Sequence, residues 1–431
     1  MSKPSTQTLG SVQLRHEETN EVILVPTPSR DPNDPLNWST AQKYYLLGLV
    51  SVGMFLVNFV AVGPSVALAS IAISFFGAGP NLSKDISGKA SYFQTATSLM
   101  IGVGNLFWVP LATKYGKRPV YIASFLLLTV CSVWCGVAKS FESELAARII
   151  LGTACGAPEI IAPLTLADIF FLHQRGTMMV IYTCALSCGV GAGVVISGLI
   201  TMHNSWRAIY WLSTALLGVV TILVIFTFPE TSYIREPVVD QVEGVEKNAK
   251  LRAGHTEEVD VVVPPKRSFT QNLRIFSTTY THESFFVLAM RPVIAITLPT
   301  VLWATLISCH HRDENSRNAA TCTCINFTTV QATNIAIVYI VDSYRPIAGE
   351  VIVTQSVFKA LFGFLLSFYV DQWIDESGYI HVFGTLAGLS AAVFICVFPF
   401  YYCGYQLRHA TWQWGFIKKL LHWDVDREVG E

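Results

Sequence analysis

Long apolar stretches with few charges constrain the fold of this chain more than any other feature. A helix needs about 20 predominantly apolar residues to cross the hydrocarbon core of a bilayer. Only 14% of the 431 residues are charged, whereas ordinary soluble domains have about 25%. We therefore predict an all-α protein that crosses the membrane many times.

Ten apolar stretches are candidate spans. They lie near residues 43–63, 91–112, 119–138, 145–166, 178–200, 207–228, 292–308, 328–342, 352–370 and 380–404. The first stretch continues apolar to Phe76, past a Gly63-Pro64 pair that should bend or break a helix.

Basic residues predict the orientation of these spans. They are enriched in the loops after spans two, four and six, which places both termini in the cytoplasm. The predicted regions are a mostly disordered cytoplasmic segment, a six-helix bundle, a cytoplasmic linker, a second helix bundle and a cytoplasmic tail, at residues 1–42, 43–228, 229–291, 292–404 and 405–431. A net charge of −1 gives no electrostatic reason to expect nucleic acid as a partner.

Two charged residues inside the fourth span are the strongest candidates for a function. Arg148, Gly152, Gly156 and Glu159 are spaced by four, four and three residues, which places them on one helix face. Charges within a membrane span are costly and usually face a cavity or a partner. We interpret Glu159 and Arg148 as candidates for binding a proton or a cationic substrate. The alternative is an ion pair with a purely structural role.

Small and polar residues in other spans suggest helix contacts. Gly152 and Gly156, and in the fifth span Gly189, Gly191 and Gly193, would allow neighbouring helices to approach closely. Asn58 in the first span would hydrogen-bond either a substrate or a neighbouring helix. Asn81-Leu82-Ser83 would face outside and is a formal glycosylation site, although its position near the bilayer leaves an unmodified asparagine equally compatible.

The loop between spans two and three forms a candidate gating motif. Its residues are Lys114, Gly116, Lys117 and Arg118, and Asp168 at the inner end of span four is a candidate partner. The alternative is an ordinary positively charged cytoplasmic loop.

No constellation typical of an enzyme or of a cofactor site occurs. The sequence contains neither a phosphate-binding P-loop nor a His-Glu-x-x-His motif. The polar stretch 307–327 contains two histidines and three cysteines, but its Cys-x-Cys spacing is not typical of zinc sites. We therefore expect neither a metal nor a cofactor.

Several motifs in order along the chain carry a family resemblance. They are DPNDPLNWS before span one, LATKYGKRP between spans two and three, the arginine–glycine pattern of span four, the glycine run of span five, FPET at 228–231 and VDSYRPIAGE at 341–350. With these motifs the chain resembles the major facilitator superfamily, in its fungal drug:proton antiporter branch. It departs from the pattern at Val109 and Thr113, which stand at a glycine and an acidic position of the loop motif. Span five also lacks the usual Gly-Pro, with Gly191-Ala192-Gly193 in its place.

The resemblance implies a twelve-helix fold in two six-helix halves. Helices eight and nine have no counterpart, and only residues 309–327 stand in their place. We therefore expect a complete first half, an incomplete second half and about ten transmembrane helices. A truncated allele or a mis-spliced gene would explain the gap, and long-read sequencing of the transcript would test this.

The resemblance also implies an activity. It is the proton-coupled efflux of small organic molecules, such as a drug, a toxin, a secondary metabolite or a polyamine, by a monomer in the plasma membrane. The alternative is a truncated product that does not transport, or a membrane protein that senses its substrate.

Overall fold

A computed structural model describes residues 31–76, 82–233, 284–295 and 348–395, together with the isolated positions 29, 271, 273, 274, 280, 281, 402, 406 and 410. Side chains in 82–91, and many in the last of these four ranges, are not described. Helices and 3₁₀ turns are the regular structure present, and no strand occurs within these ranges. Two predictions lie outside the described residues: the glycosylation site at Asn81 and the eighth predicted span. The same is true of residues 296–347 as a whole and, apart from three single positions, of the chain after Ile395.

Nine α-helices make up the described chain. They are α1 (Thr40–Val62), α2 (Leu68–Phe76), α3 (Leu82–Tyr115), α4 (Lys117–Val137), α5 (Phe141–Ile169), α6 (Leu172–His203), α7 (Arg207–Thr227), α8 (Phe285–Ala295) and α9 (Ala348–Ile395). Seven of the helical segments in these ranges are long and apolar enough to cross a bilayer. They lie at Thr40–Phe76, Tyr92–Tyr115, Lys117–Val137, Phe141–Ile169, Leu172–His203, Arg207–Thr227 and Gly349–Leu366. The prediction of an all-α multi-pass membrane protein is therefore confirmed.

Helix α1 ends where the sequence places glycine and proline. A 3₁₀ turn at Gly63–Ala67 separates it from α2. Pro64 has no backbone N–H to donate and so interrupts the helical hydrogen bonds. Gly63 lies so close to α6 that a Cβ there would collide with the hydroxyl of Ser197. The interruption thus coincides with a tight contact between two spans.

Residues 31–39, which lie just before α1, are folded rather than irregular. Asp34 is fully buried, and its carboxylate accepts hydrogen bonds from the backbone N–H of Leu36 and from Ser29. Tyr233, just after α7, donates its hydroxyl to Asp31 at 3.0 Å. Burial raises the pKa of Tyr233, with a further contribution from Asp31, so its hydroxyl remains a donor at neutral pH. Part of the range predicted as disordered therefore contacts the end of the six-helix bundle.

Two boundaries differ from the sequence prediction. Helix α8 begins at Phe285, inside the range predicted as linker. Residues 285–290 are apolar and suited to a helix, but the basic Arg291 led us to predict the end of the linker there. Spans nine and ten, as far as they are described, lie in α9 as two helices that meet directly at Gly378, with φ +75°, instead of being separated by a loop. A glycine adopts this backbone angle readily, so the chain can change direction there without a long loop.

The first seven helices enclose the main hydrophobic core. Helix α3 packs along α5, α1 along α6, and α4 against both α5 and α7. Helix α9 packs mainly against α3, and a smaller apolar cluster of Val109, Ile160, Ile352 and Val353 joins α3, α5 and α9. This three-helix junction is where the first part of the chain meets the second.

Candidate functional site

The candidate gating motif forms a tight turn between α3 and α4. Gly116 has φ +96°, which favours glycine, and a Cβ at this position would collide with the carboxylate of Glu230. That carboxylate accepts hydrogen bonds from the backbone N–H of Lys117 at 3.0 Å and of Arg118 at 3.1 Å. Glu230 therefore neutralises the positive end of the α4 dipole.

The basic side chains of the motif reach other helices. Lys117 forms an ion pair with Asp168 and donates a second hydrogen bond to the carbonyl of Leu164 at 2.9 Å. Arg118 is buried and donates to the carbonyl of Ile225 near the end of α7. Lys114 lies over the ring of Tyr115, and its backbone carbonyl accepts from the N–H of Tyr280. The structure thus brings the predicted partners Lys117 and Asp168 together.

Glu230 is a residue that sequence reasoning did not assign to the motif. Besides Lys117 and Arg118, it accepts from the backbone N–H of Thr231 and Ser232 at 3.0 and 2.9 Å. The FPET stretch that contains it was visible in the sequence. Its contact with a loop more than 110 positions earlier was not, because it depends on how α4 and α7 pack.

Arg148 lies in a buried cluster near the start of α5. Its Nε donates to Glu144 at 3.1 Å, and Tyr210 donates its hydroxyl to the same carboxylate at 2.8 Å. The guanidinium also lies over the rings of Phe93 and Tyr210. Arg148 and Glu144 are almost completely buried. This arrangement is that of a structural ion pair, and Arg148 is not placed with Glu159.

The predicted packing glycines fall into two groups. A Cβ on Gly152 or Gly156 would collide with the backbone of α3, and one on Gly189 would collide with the backbone of α1. Gly193 lies against Phe59 of α1, with 3.2 Å between a Cβ position and the ring. Gly191 differs, since none of the described atoms of another element lies within 4 Å of its Cβ position.

Asn58 was predicted to hydrogen-bond a substrate or a neighbouring helix. In the structure it donates to the carbonyl of Met54 in its own helix.

Glu159 forms an ion pair with Lys359 of α9, with 3.3 Å between Oε1 and Nζ. The exposed fractions of the two side chains are 27% and 22%, so both remain open to water or to a ligand. The pair joins α5 to α9 and therefore the first part of the chain to the second. Sequence reasoning missed Lys359, although the rule that identified Glu159, a charge inside an apolar span, applies equally to it.

A second polar contact lies beside this pair. Asn105 of α3 is fully buried, donates to Ser356 of α9 at 3.2 Å and packs against Gly156. Ser356 precedes Lys359 by one helical turn, and Gly156 precedes Glu159 by one turn. We call Asn105, Glu159, Ser356 and Lys359 the polar layer. Its members lie near the middle of spans Tyr92–Tyr115, Phe141–Ile169 and Gly349–Leu366.

The arrangement is suited to binding an ion or a polar solute between helices rather than to covalent chemistry. Within the described ranges, no group of three or more potential ligand side chains could hold a metal ion. The cysteines and histidines of 307–327 lie outside these ranges.

The sequence pattern of the Major Facilitator Superfamily matches residues 50–309. The match covers more than half of the chain, and the chain belongs to this family. Members of the family are transporters rather than enzymes, as the absence of a catalytic constellation from the sequence predicted.

Fungal proteins are prominent among the similar sequences. Protein HOL1 of Saccharomyces cerevisiae is 32% identical over 219 residues, which are 50% of this chain and 35% of HOL1. Transporter paaT of Penicillium rubens is 30% identical over 50% of this chain and 38% of its own length. Efflux pump radE of Floropilus chiversii is 24% identical over 61% of this chain and 47% of its own length. The matches therefore span less than half of each of these relatives.

Solved structures show the same fold. The proton:xylose symporter XylE superposes with a TM-score of 0.56 at 12% identity, covering 85% of this chain and 96% of XylE. The human organic anion transporter MFSD10 gives a TM-score of 0.51 at 14% identity, with 82% and 99% covered. At such low identity the superpositions describe the fold and not the substrate.

Proposed function

We propose that the chain is a secondary active transporter that moves small organic molecules out of the cytoplasm in exchange for protons. The observation that carries the proposal is the polar layer, in which Glu159 and Lys359 pair across the junction between the two parts of the chain. Charges at mid-membrane depth between helices mark substrate or ion pathways. Transporters of this architecture bind their substrates near the midplane and alternate between two openings.

The charge of the pair supports the proposed proton coupling. When Glu159 takes up a proton, it loses its charge and with it most of its attraction for Lys359. The contact between α5 and α9 then weakens, so protonation and opening of the junction are linked. The gating motif would hold the cytoplasmic ends of α4 and α5 in register during this motion, through Gly116, Lys117, Arg118 and Asp168.

The direction of transport, the substrate class and the membrane are inferred from similarity to the relatives. The name of radE describes an efflux pump, and this supports export of a drug, a toxin or a secondary metabolite, with a polyamine as a further candidate. We place the protein in the plasma membrane as a monomer, with a glycan on Asn81 as a separate proposal.

A transport assay tests the proposal. The full chain is reconstituted into liposomes with an imposed pH gradient and supplied with a panel of cationic, anionic and neutral organic compounds. We expect the gradient to drive accumulation of at least one class, and Glu159→Gln to abolish the dependence on pH. Glu142→Gln, an exposed carboxylate on the same helix, is the matched control and should transport normally. Binding without movement of any compound would instead favour a sensor or an inactive truncated product.

A further inference from the structure

The polar layer already contains a primary ammonium group that belongs to the protein itself. Nζ of Lys359 lies 3.3 Å from the Glu159 carboxylate, and both side chains are partly exposed. A dissolved cation can therefore compete with Lys359 for Glu159. Such a cation would replace the ammonium group of Lys359. The site beside the Glu159 carboxylate therefore accepts a cation that donates through N–H.

Asn105 supplies a second hydrogen-bond acceptor at the same depth. Its Nδ2 donates to the carbonyl of Ile101 at 2.8 Å and to Ser356 at 3.2 Å. Its Oδ1 is buried and has no hydrogen-bond partner among the described residues. A buried polar atom without a partner is destabilising. This acceptor therefore favours a ligand with an additional donor.

The position of Asn105 makes it accessible when the junction opens. Its side chain is covered by Ser356 on α9 and lies against Gly156, one helical turn from Glu159. Oδ1 itself faces Gly156 of α5, 2.7 Å from a Cβ position there, whereas Nδ2 faces Ser356. Separation of α9 from α3 removes the Ser356 contact, and rotation of the amide then turns Oδ1 toward the opening. The ligand would then meet a carboxylate and an amide oxygen on neighbouring helices, both of them acceptors.

We propose that the polar layer selects organic cations that carry N–H donors, the protonated primary and secondary amines, over quaternary ammonium cations. The inference rests on the proposed transport function, because it names the substrate class of the same site. A quaternary cation has no N–H, so it leaves Asn105 Oδ1 without a partner and reaches Glu159 only through its methyl groups. Losing a hydrogen bond to a charged group weakens binding about tenfold or more.

Calorimetric titration of the purified full chain at neutral pH tests this selectivity. The probes are hexylamine and hexyltrimethylammonium, which share their alkyl chain and their charge but differ in N–H donors. We expect hexylamine to bind about tenfold more tightly. Equal or tighter binding of hexyltrimethylammonium, or no binding of either probe, would overturn the inference.

Two variants assign the selectivity to named residues. Lys359→Met removes the internal competitor and should tighten hexylamine binding about tenfold, whereas Lys139→Met, at an exposed position before α5, should leave it unchanged. Asn105→Leu should bring the affinities of the two probes close together. If Asn105→Leu does not fold, Lys359→Met still decides, since weaker hexylamine binding by that variant contradicts the inference.

Transport and selectivity can fail separately. A chain that moves neutral or anionic compounds and binds no amine retains the proposed function and contradicts the amine inference. A chain that prefers hexylamine in the titration but moves nothing across the liposome membrane retains the selectivity and loses the transport function.

Discussion

At the scale of single residues, exposure separates the buried ion pair of Arg148 from the ion pair that we propose as a binding site. Arg148 and Glu144 are almost completely buried and form an ion pair, and Tyr210 donates a hydrogen bond to Glu144. Glu159 and Lys359 form a longer contact and keep about a quarter of each side chain exposed. Sequence position alone did not separate them, because both acidic residues lie in the same helix and only the surrounding helices determine exposure.

Gly116 allows a prediction at this scale. Gly116→Ala combines an unfavourable backbone angle with a collision against Glu230, so we expect a loss of about 1–3 kcal/mol in stability. Thermal unfolding in detergent measures the effect as a lower melting temperature. Gly218→Ala in α7 is the control, because nothing lies within 4 Å of its Cβ position and its φ is not positive. Equal melting of the two variants would show that the turn does not depend on Gly116.

At the scale of the elements, close helix contacts depend on which face of each helix is covered. The apolar stretches were sufficient to predict the first six spans, since length and hydropathy decide whether a helix can cross a bilayer. They did not predict that α9 would lie against Gly102 of α3, where a Cβ would meet Ser356 O at 2.9 Å. That contact depends on residues more than 250 positions apart, and no local pattern encodes it.

The predicted packing glycines provide a direct comparison between elements. Gly156→Val should push α3 and α5 apart and cost about 1–3 kcal/mol, as overpacking of a close contact does. Gly191→Val should have a much smaller effect, because its Cβ position has no described neighbour within 4 Å. The melting temperatures of the two variants in the same detergent test this difference. A larger loss for Gly191→Val would mean that α6 has an essential contact on that face.

At the scale of the whole molecule, the first six spans form one packed bundle, and α9 meets it at the polar layer. The family and the number of spans in the first half could be predicted from motifs and hydropathy. The pairing of Glu159 with Lys359 could not, because each charge was visible in the sequence but their partnership depends on the approach of α9 to α5. The central hypothesis is therefore that this junction opens and closes during transport.

Cross-linking across the end of the junction formed by Leu164 and Gly349 tests that hypothesis most directly. A Cβ on Gly349 of α9 would lie 3.5 Å from Leu164 of α5. Cysteines at these two positions, in a variant whose ten native cysteines are replaced, can therefore be joined by a short reducible bifunctional thiol reagent. We predict that the joined protein no longer moves a compound which the unjoined protein transports in the liposome assay, and that reduction of the link restores transport. Undiminished transport by the fully cross-linked protein would contradict this hypothesis.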